Sequence, residues 1–272
     1  MLTQAGVPTP DVDAELLIGH VLGLSRGQVQ AKAVTDAALS ADDFVSVLEV
    51  VERRAAREPL QHITGRAAFR MLDLAVGPGV FVPRPETEVV AQVAIDALMA
   101  VSSAAPVAVD LGTGSGAIAL SLATEVPHAV VVAVENSPRA FIWAKQNARE
   151  VAATNLRLVF ADLAVAVPEL DGTVDVVVSN PPYIPVGAVP RDPEVRLHDP
   201  SDALFGGVDG LDVVRAVSVR ARALLRPGRT LVLEHGEVQG AAIRELLLAD
   251  GWRAPVTTQD LLGRDRATSA TR

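Results

Sequence analysis

The sequence predicts an α/β fold, with a doubly wound parallel sheet that follows a smaller helical region. From Pro106 onward, short apolar segments rich in Val, Ala and Leu alternate with segments of helical periodicity, as expected for strands buried on both faces. Hydrophobic residues make up 49% of the chain and aromatic residues only 3%, which suits helices packed on such a sheet. A chain of 272 residues can form one large and one small domain.

Residues 1–58 are predicted to form a small helical domain. Pro8–Asp11 carries the signals of a helix start, and leucines follow at helical spacing. Ser40–Asp43 is similar to a capping box with Asp in place of the usual Glu, and it opens a second helix with one apolar face. Small helical modules are more often units of partner recognition or packing than of catalysis, so we expect no catalytic residue here.

Residues 59–84 are predicted to form a β-hairpin linker. Gly65, Gly77 and Gly79 separate three short apolar segments, and glycines at such positions are typical of turns. The expected strands are His62–Thr64, Phe69–Val76 and Val80–Val82.

The remaining segment, 85–272, is predicted to hold the doubly wound sheet. Pro83–Glu88 starts a helix that runs to about Met99, with proline and acidic residues in its first turn. The long loop 180–207 is rich in Pro, Gly and Asp, and such loops are usually functional or mobile. The expected strands are Val107–Leu111, Ala129–Val134, Leu156–Phe160, Val174–Ser179 and Thr230–Glu234, with a weaker one near Arg253–Thr257, and the expected helices are at about 115–125, 138–151, 208–224 and 237–249.

Composition argues against several classes of function. The chain has no cysteine, which excludes disulfides, thiolate metal sites and a cysteine nucleophile. Its five histidines form no closely spaced pair, so we expect no metal site. A net charge of −9 disfavours non-specific binding to nucleic acid. No apolar run is long enough to span a bilayer and no signal peptide opens the chain, so we expect a cytoplasmic protein without membrane contact.

A glycine-rich segment, Asp110–Gly116, follows the first strand of the sheet and opens a helix. Glycines there let the backbone approach a ligand closely. Glu135 ends the next strand, where a carboxylate can accept two hydrogen bonds from a ribose diol. The pattern indicates a nucleoside cofactor, but it also fits the nicotinamide dehydrogenases, so the glycines alone do not name it. Asp162 comes after the third strand, where it could meet an adenine amino group or cap a turn.

The fourth strand ends in Asn180-Pro181-Pro182-Tyr183. The two prolines must end the strand and stiffen the backbone beyond it, so Asn180 and Tyr183 are held in a nearly fixed relation. Parallel sheets bind ligands at the carboxyl ends of their strands. Alone, the tetrapeptide fits a turn as well as a binding site; its place downstream of the glycine-rich segment and Glu135 favours a binding site.

The chemistry of this tetrapeptide separates the possible cofactors. The Asn180 side-chain carbonyl and the Pro181 backbone carbonyl are acceptors that can hold both hydrogens of an –NH2 group, and Tyr183 offers a flat face to a planar group. The implied reaction is N-methylation of a planar amino or amide group by S-adenosylmethionine, with the rate coming mainly from positioning and polarisation. No acid/base group of the kind that a dehydrogenase needs accompanies the glycines.

With these motifs in order, the chain resembles the peptide chain release factor glutamine methyltransferases (the PrmC/HemK family). The resemblance covers nearly the whole chain. It implies a seven-stranded Rossmann-like class I methyltransferase domain, a β-hairpin linker and an N-terminal helical bundle at 1–58 that recognises the release factor. It also implies N5-methylation of the glutamine in the Gly-Gly-Gln motif of class I release factors, in translation termination. Besides Asp110–Gly116 and Asn180–Tyr183, the matching segments are Glu58–Gly65, Pro83–Glu88, Ala203–Leu211 and Asp260–Arg266.

The resemblance also assigns roles to individual residues. It places Asp162 and Leu163 at the adenine of the cofactor, and Asn180 between the cofactor and the substrate. The substrate glutamine falls at Asn180, Pro181, Pro182 and Tyr183, and of these Asn180, Pro181 and Tyr183 are the expected catalytic residues. Phe81 and Pro83–Glu88 are expected to close over the cofactor. The remaining cofactor-binding residues are Gly112, Thr113, Gly114, Ser115, Gly116 and Glu135.

The chain departs from the family pattern in three places. His62 stands where a Tyr is usual, and His198-Asp199-Pro200 stands for Tyr-Glu-Pro. Ala267–Ala270 makes a poor edge strand where the family has an apolar one, so we expect a short or weak last strand. Two alternatives remain: a nucleic-acid methyltransferase acting on adenine N6 or guanine N2, because a base amine is also planar, and a non-catalytic S-adenosylmethionine-binding protein.

Overall fold

The computed structural model describes all residues from 1 to 272. The chain divides into two compact units. The N-terminal unit comprises Met1–Arg66, Val76–Pro78 and Val189–Asp199, and the sheet unit comprises Ala67–Ala75, Gly79–Ala188 and Pro200–Arg272. None of the helices has the length and apolar character needed to cross a membrane.

The secondary structure alternates as predicted in the second half of the chain. The helices are α1 Pro10–Leu22, α2 Arg26–Val34, α3 Ala41–Ala55, α4 Leu60–Thr64, α5 Thr87–Met99, α6 Ala117–Glu125, α7 Pro138–Val151, α8 Pro193–His198, α9 Asp212–Leu224 and α10 Gly240–Ala249. The strands are β1 Arg66–Phe69, β2 Leu72–Ala75, β3 Val107–Leu111, β4 Val130–Glu135, β5 Leu156–Phe160, β6 Val174–Ser179, β7 Leu225–Glu234, β8 Arg253–Gln259 and β9 Asp265–Thr271.

The N-terminal unit is a helical bundle around a small apolar core. Leu2, Val7, Leu17 and Ile63 are buried together. The predicted start of α3 is confirmed, since the Ser40 hydroxyl accepts a hydrogen bond from the Asp43 amide at 3.1 Å. Helix α2, which was not predicted, begins with a complete capping box formed by Ser25 and Gln28.

An ion-pair cluster joins a distant segment to this bundle. Glu194 lies on α8, within the predicted long loop, yet belongs to the N-terminal unit. Its carboxylate contacts Arg54 and Arg57 at 2.7 Å each, and Arg54 also pairs with the buried Asp13 at 2.7 Å. Burial raises the pKa of Glu194, but its hydrogen bonds to Arg57 and Arg54 outweigh burial and lower the pKa to about 2. The cluster therefore fixes α8 to the bundle.

The sheet unit is the predicted doubly wound domain. Its seven strands lie in the order β5-β4-β3-β6-β7-β9-β8, and all neighbours are parallel except where β9 pairs with β7 and β8. Successive strand residues face opposite layers. One layer packs α5 and α6 against Ala108, Val131 and Val176, and the other packs α9 and α10 against neighbouring strand residues such as Val109 and Val177.

The linker contains a hairpin, as predicted, but its three predicted strands were wrong. Phe69–Val76, predicted as one strand, holds the end of β1, the turn at Arg70 and Met71, and all of β2. β1 and β2 form a two-stranded sheet. The expected strand His62–Thr64 is instead part of helix α4, because Pro59 caps a helical turn that ends at Gly65, whose φ is +73°. Val80 and Val82 are buried and Phe81 is half-buried, but the segment forms no strand.

The expectation of a weak last strand was also wrong. β9 runs over seven residues and lies between β7 and β8, so it is not an edge strand. Its small residues fit this position: Ala267 and Ala270 are buried, and the buried Thr268 hydroxyl lies 2.8 Å from His235 Nε2. Pairing on both sides supplies the stability that its sequence lacks. β8 occupies the edge instead.

Candidate active site

The glycine-rich segment forms a tight turn between β3 and α6. The amides of Gly112 and Thr113 both donate to the Val134 carbonyl of the neighbouring strand, at 2.9 Å each. Gly114 and Gly116 have φ values of +60° and +89°, which residues with side chains rarely adopt. A side chain at Gly114 would project into open space, so the backbone here is accessible to a ligand.

Asp110 holds this turn from the inside. Its Oδ2 accepts hydrogen bonds from the Thr113 hydroxyl at 2.6 Å and from the Ala119 amide at 3.2 Å, while Oδ1 has no partner. Burial raises the pKa of Asp110 to about 7. Asn147 of α7 adds a second brace, because its side-chain amide donates to both Ser115 and Ala75 carbonyls at 2.9 Å. These hydrogen bonds fix the backbone of the turn.

Glu135 lies at the end of β4 and is joined directly to the glycine turn. Its Oε2 accepts from the Gly114 amide at 2.8 Å, and its Oε1 accepts from the amides of Asn136 and Ser137 at 2.9 and 2.7 Å. The residue is buried. Three of the four lone-pair directions of the carboxylate are thus used, and the fourth, on Oε2, is left to accept from a ribose hydroxyl.

Asp162 and Leu163 come after β5 on the same edge of the sheet. Asp162 Oδ1 accepts from the Ala164 amide at 2.8 Å, which is the turn-capping role that the sequence left open. The residue is exposed, so its second oxygen is accessible to solvent. Leu163 lies beside Gly112. The glycine turn, Glu135 and Leu163 therefore lie at the same edge of the sheet, after three neighbouring strands.

Asn180 comes directly after β6, the other neighbour of β3. The parallel pairing sets Asp110 opposite Val178, so Asn180 emerges next to the glycine turn. The Ser179 hydroxyl donates to the Leu111 carbonyl at 2.6 Å, which ties the ends of the two strands together. Asn180 is half-buried, and its Nδ2 donates to the Thr87 hydroxyl at 3.5 Å.

Tyr183 is held at both ends. Its hydroxyl donates to Glu234 Oε1 at 3.5 Å, and its backbone carbonyl accepts from Gln239 Nε2 at 2.9 Å. Burial and the negative charge of Glu234 raise the pKa of Tyr183 above its usual range, so the phenol remains a neutral donor. Its ring is thereby fixed beside Asn180-Pro181-Pro182.

The segment 203–211 supports the backbone of this tetrapeptide. The Ile184 amide donates to the Leu204 carbonyl at 2.8 Å, and the Gly206 amide donates to the Ile184 carbonyl at 2.9 Å. A side chain at Gly206 would overlap the Pro182 carbonyl oxygen, and one at Gly210 would overlap that of Tyr183. These glycines therefore permit a close approach that sequence reasoning did not assign to them.

Sequence reasoning missed Glu234, which contacts Tyr183, and it placed Thr87 only within Pro83–Glu88 over the cofactor, whereas the Thr87 hydroxyl contacts Asn180. A signal for Glu234 was available, since it is a charged residue at the end of an apolar strand, where parallel sheets place their sites. The described side chains contain no group of three or more His, Asp or Glu placed to hold a metal ion.

Comparisons with known proteins identify the family of this chain. A family model described as "PrmC N-terminal domain" matches residues 1–65, and one described as "Methyltransferase small domain" matches residues 72–191. The 16S rRNA N2 G1207 methyltransferase of Thermus thermophilus, solved with AdoMet and guanosine, superposes with a TM-score of 0.56 at 23% identity, over 76% of this chain and 49% of its own. At that identity the likeness establishes only the fold, which is that of the class I methyltransferases.

Two curated relatives are much more similar in sequence. The release factor glutamine methyltransferase of Streptomyces coelicolor is 50% identical over 99% of this chain and 93% of its own length. The 4-amino-L-phenylalanine/4-methylamino-L-phenylalanine methyltransferase of Streptomyces pristinaespiralis is 42% identical over 92% of this chain and 84% of its own. These matches confirm the resemblance found in the sequence. The chain belongs to the release factor glutamine methyltransferases, a family of S-adenosylmethionine-dependent enzymes.

Proposed function

We propose that this chain transfers a methyl group from S-adenosylmethionine to the side-chain nitrogen of the glutamine in the Gly-Gly-Gln motif of class I peptide chain release factors. One observation carries the proposal beyond family membership. The pairing of β3 with β6 brings Asn180 next to the glycine turn, so an acceptor for an –NH2 group lies beside the cofactor region. The protein substrate and the cofactor would meet at this edge of the sheet.

The cofactor site would consist of the glycine turn and the strand ends beside it. Glu135 would accept from a ribose hydroxyl, with Asp162 and Leu163 at the adenine and Asn180 at the boundary with the substrate. S-adenosylmethionine supplies an electrophilic methyl group when bound. The turn residues in this role are Gly112, Thr113, Gly114, Ser115 and Gly116.

The substrate site would act by positioning. Asn180 Oδ1 and the Pro181 carbonyl would accept the two hydrogens of the amide, while Pro182 and the Tyr183 ring would cover its planar face. Held this way, the nitrogen points at the methyl group, and polarisation of its N–H bonds raises its electron density. The methyl carbon would form a bond to the glutamine nitrogen as its bond to the cofactor sulfur breaks, and one hydrogen of that nitrogen would leave as a proton.

The N-terminal unit would supply recognition of the release factor away from its glutamine. Residues 1–58 would bind the protein substrate, and residues 85–272 would catalyse the methyl transfer. Residues 59–84 would link these two domains. A groove of about 390 Å³ on this unit supports a recognition role. Apolar side chains of α1 and α2 line it, with Lys32 and Asp43 as its charged residues. A translation enzyme of this kind would work in the cytoplasm.

A second candidate is methylation of a small aromatic amine. The Streptomyces pristinaespiralis relative is named for 4-amino-L-phenylalanine, and an aryl amine is as planar as an amide. A nucleic-acid substrate has less support, because the net charge of −9 opposes phosphate binding.

The test offers each class of acceptor separately with labelled S-adenosylmethionine. The acceptors are a class I release factor, the same factor with its Gly-Gly-Gln glutamine changed to Ala, 4-amino-L-phenylalanine, and rRNA. We expect label in the unmodified release factor alone. Label only in the amino acid or only in rRNA would refute the proposal and name the substrate class instead.

A further inference from the structure

The proposed chemistry needs the Asn180 side chain in one of its two amide orientations. Only its Oδ1 can accept a hydrogen from the substrate, so Nδ2 must point elsewhere. In the structure Nδ2 points at the Thr87 hydroxyl, 3.5 Å away. Whatever orients Thr87 therefore decides whether Asn180 presents an acceptor or a donor to the substrate.

Thr87 is the first residue of α5 and is almost fully buried. Its hydroxyl has one hydrogen to donate and lone pairs to accept with. The Glu234 carboxyl lies within reach of this hydroxyl, and a hydrogen bond from Thr87 acts to lower the pKa of that carboxyl. If the hydroxyl hydrogen is directed at Glu234, the Thr87 oxygen can offer Asn180 only a lone pair, and it then selects the Nδ2 side of the amide.

Glu234 is built to be an acceptor. It is 1% exposed at the end of β7, its Oε1 accepts from the Tyr183 hydroxyl, and its Oε2 has no hydrogen-bond partner. A buried carboxyl with an unused oxygen is costly for stability, so it points to a functional need. The charged side chains nearest to it are Arg266 of β9, which favours its charged form, and Glu86, which opposes it.

We propose that Thr87 and Glu234 are positioning residues that orient Asn180 and Tyr183 for the methyl acceptor. In this chain Glu234 Oε1 accepts from the Tyr183 hydroxyl, Oε2 is the oxygen left to accept from the Thr87 hydroxyl, and Thr87 accepts from Asn180 Nδ2. The result is a directed hydrogen-bond chain that leaves Asn180 Oδ1 free for the substrate and holds the Tyr183 ring in place. The two hydrogen bonds of 3.5 Å are long, as catalytic hydrogen bonds often are before the substrate is bound.

This inference rests on the proposed transfer to an –NH2 group, and Thr87 provides a clean test of it. Thr87→Val keeps the shape and removes the hydroxyl, whereas Thr87→Ser keeps the hydroxyl. We expect Thr87→Val to lower kcat by about tenfold or more, with the Kd for S-adenosylmethionine within about twofold of wild type, since the Thr87 hydroxyl contacts Asn180 and not the glycine turn. Thr87→Ser should restore most of kcat. Thr124→Val is the control, because the Thr124 hydroxyl bonds only within its own helix α6.

A double variant tests whether Glu234 acts through Thr87. If both belong to one chain of hydrogen bonds, Thr87→Val combined with Glu234→Gln should lose little more kcat than the worse single variant. If the kcat losses of the two single variants multiply in the double variant, the hydrogen-bond chain is refuted. It is also refuted if Thr87→Val leaves kcat unchanged, if Thr87→Ser is as slow as Thr87→Val, or if Thr87→Val lowers kcat and cofactor affinity equally.

A spectroscopic readout separates this inference from the proposed function. The side-chain amide signals of Asn180 in a ¹H–¹⁵N NMR spectrum should shift in Thr87→Val and Glu234→Gln and stay unchanged in Thr124→Val. This NMR measurement requires no turnover. If the wild-type enzyme methylates no release factor but the Asn180 signals shift as expected, the proposed function is refuted and the hydrogen-bond chain is supported. Unshifted Asn180 signals in both site variants would refute the hydrogen-bond chain.

Discussion

The Glu135 carboxylate accepts a hydrogen bond from the Gly114 amide at 2.8 Å, so the acid that ends β4 is part of the glycine turn that comes after β3. Asn180, on the opposite neighbour of β3, directs its side-chain amide at Thr87 instead of at that turn. The two residues therefore belong to separate hydrogen-bond systems, which predicts separate effects on cofactor affinity and on turnover.

Substitution of Glu135 should weaken mainly cofactor binding, and substitution of Asn180 should lower mainly turnover. Glu135→Ala removes both the ribose acceptor and the support of the turn, so we expect the Kd for S-adenosylmethionine to rise by roughly ten- to a hundredfold, or about 1.4–2.8 kcal/mol. Asn180→Ala should lose most of kcat and leave that Kd nearly unchanged. Calorimetric titration and steady-state kinetics measure the two quantities, and a loss of affinity in Asn180→Ala equal to that in Glu135→Ala would contradict the division.

A second prediction concerns the close approach at Tyr183. Gly210→Ala would push a methyl group into the Tyr183 carbonyl oxygen, whereas Gly228→Ala has a similar positive φ and nothing within 4 Å. Both variants carry backbone strain of about 1 kcal/mol, but only Gly210→Ala should also displace Tyr183 and lower kcat severalfold. Thermal unfolding and turnover, compared between the two variants, check this. Equal kcat in both would show that segment 203–211 does not position Tyr183.

A third prediction is a pH dependence of stability caused by Glu234. Burial raises its pKa from 4.5 to about 7, although Thr87, Arg266 and Tyr183 act in the opposite direction. Between pH 4.5 and about 7 the folded protein keeps a proton that the unfolded chain releases, so the contribution of this residue to stability falls as pH rises. Below pH 4.5 both states are protonated and the contribution is constant.

Glu234→Gln should remove this dependence. Relative to wild type, the variant should gain stability as pH rises from 4.5 to about 7, by on the order of 1–3 kcal/mol. Asp110, whose pKa burial also raises, is present in both proteins, so its effect cancels in the difference. Urea unfolding at about pH 5 and about pH 8 measures the change, and a pH-independent difference would be inconsistent with a buried carboxyl that titrates near neutrality.

The fourth prediction tests the groove of the N-terminal unit. Ala33 is an exposed residue of α2 that lines the groove, and Ala31 is an exposed residue of the same helix that does not. Ala33→Glu should raise the KM for the release factor about tenfold while leaving the KM for S-adenosylmethionine unchanged. Ala31→Glu makes the same change of charge outside the groove and should behave as wild type. Similar effects of the two variants would exclude the groove as a recognition surface.

The sequence predicted the sheet better than its surroundings, for a physical reason. Val174–Ser179 is buried throughout because a central parallel strand is covered on both faces, and such apolar runs are recognisable without partners. β7 starts at Leu225, ahead of the predicted Thr230, because Pro227-Gly228 looks like a turn in isolation. β9 was predicted to be weak because its own residues do not reveal that the fold places a strand on each side of it.

The site was predictable to the same extent. Asp110–Gly116, Glu135 and Asn180–Tyr183 each lie at the end of a strand, so the topology alone brings them to one edge of the sheet. The contact of Thr87 with Asn180 could not be found this way, since Thr87 opens a helix and reaches Asn180 only through packing of α5 on the sheet.

The central claim is that the methyl group goes to a glutamine amide held by Asn180. The most direct measurement is tandem mass spectrometry of the Gly-Gly-Gln peptide from a release factor incubated with S-adenosylmethionine and either wild-type enzyme or Asn180→Ala. The account predicts one added methyl group on the glutamine side chain with the wild-type enzyme and nearly none with the variant. A methyl group on any other residue, or equal modification by both enzymes, would contradict it.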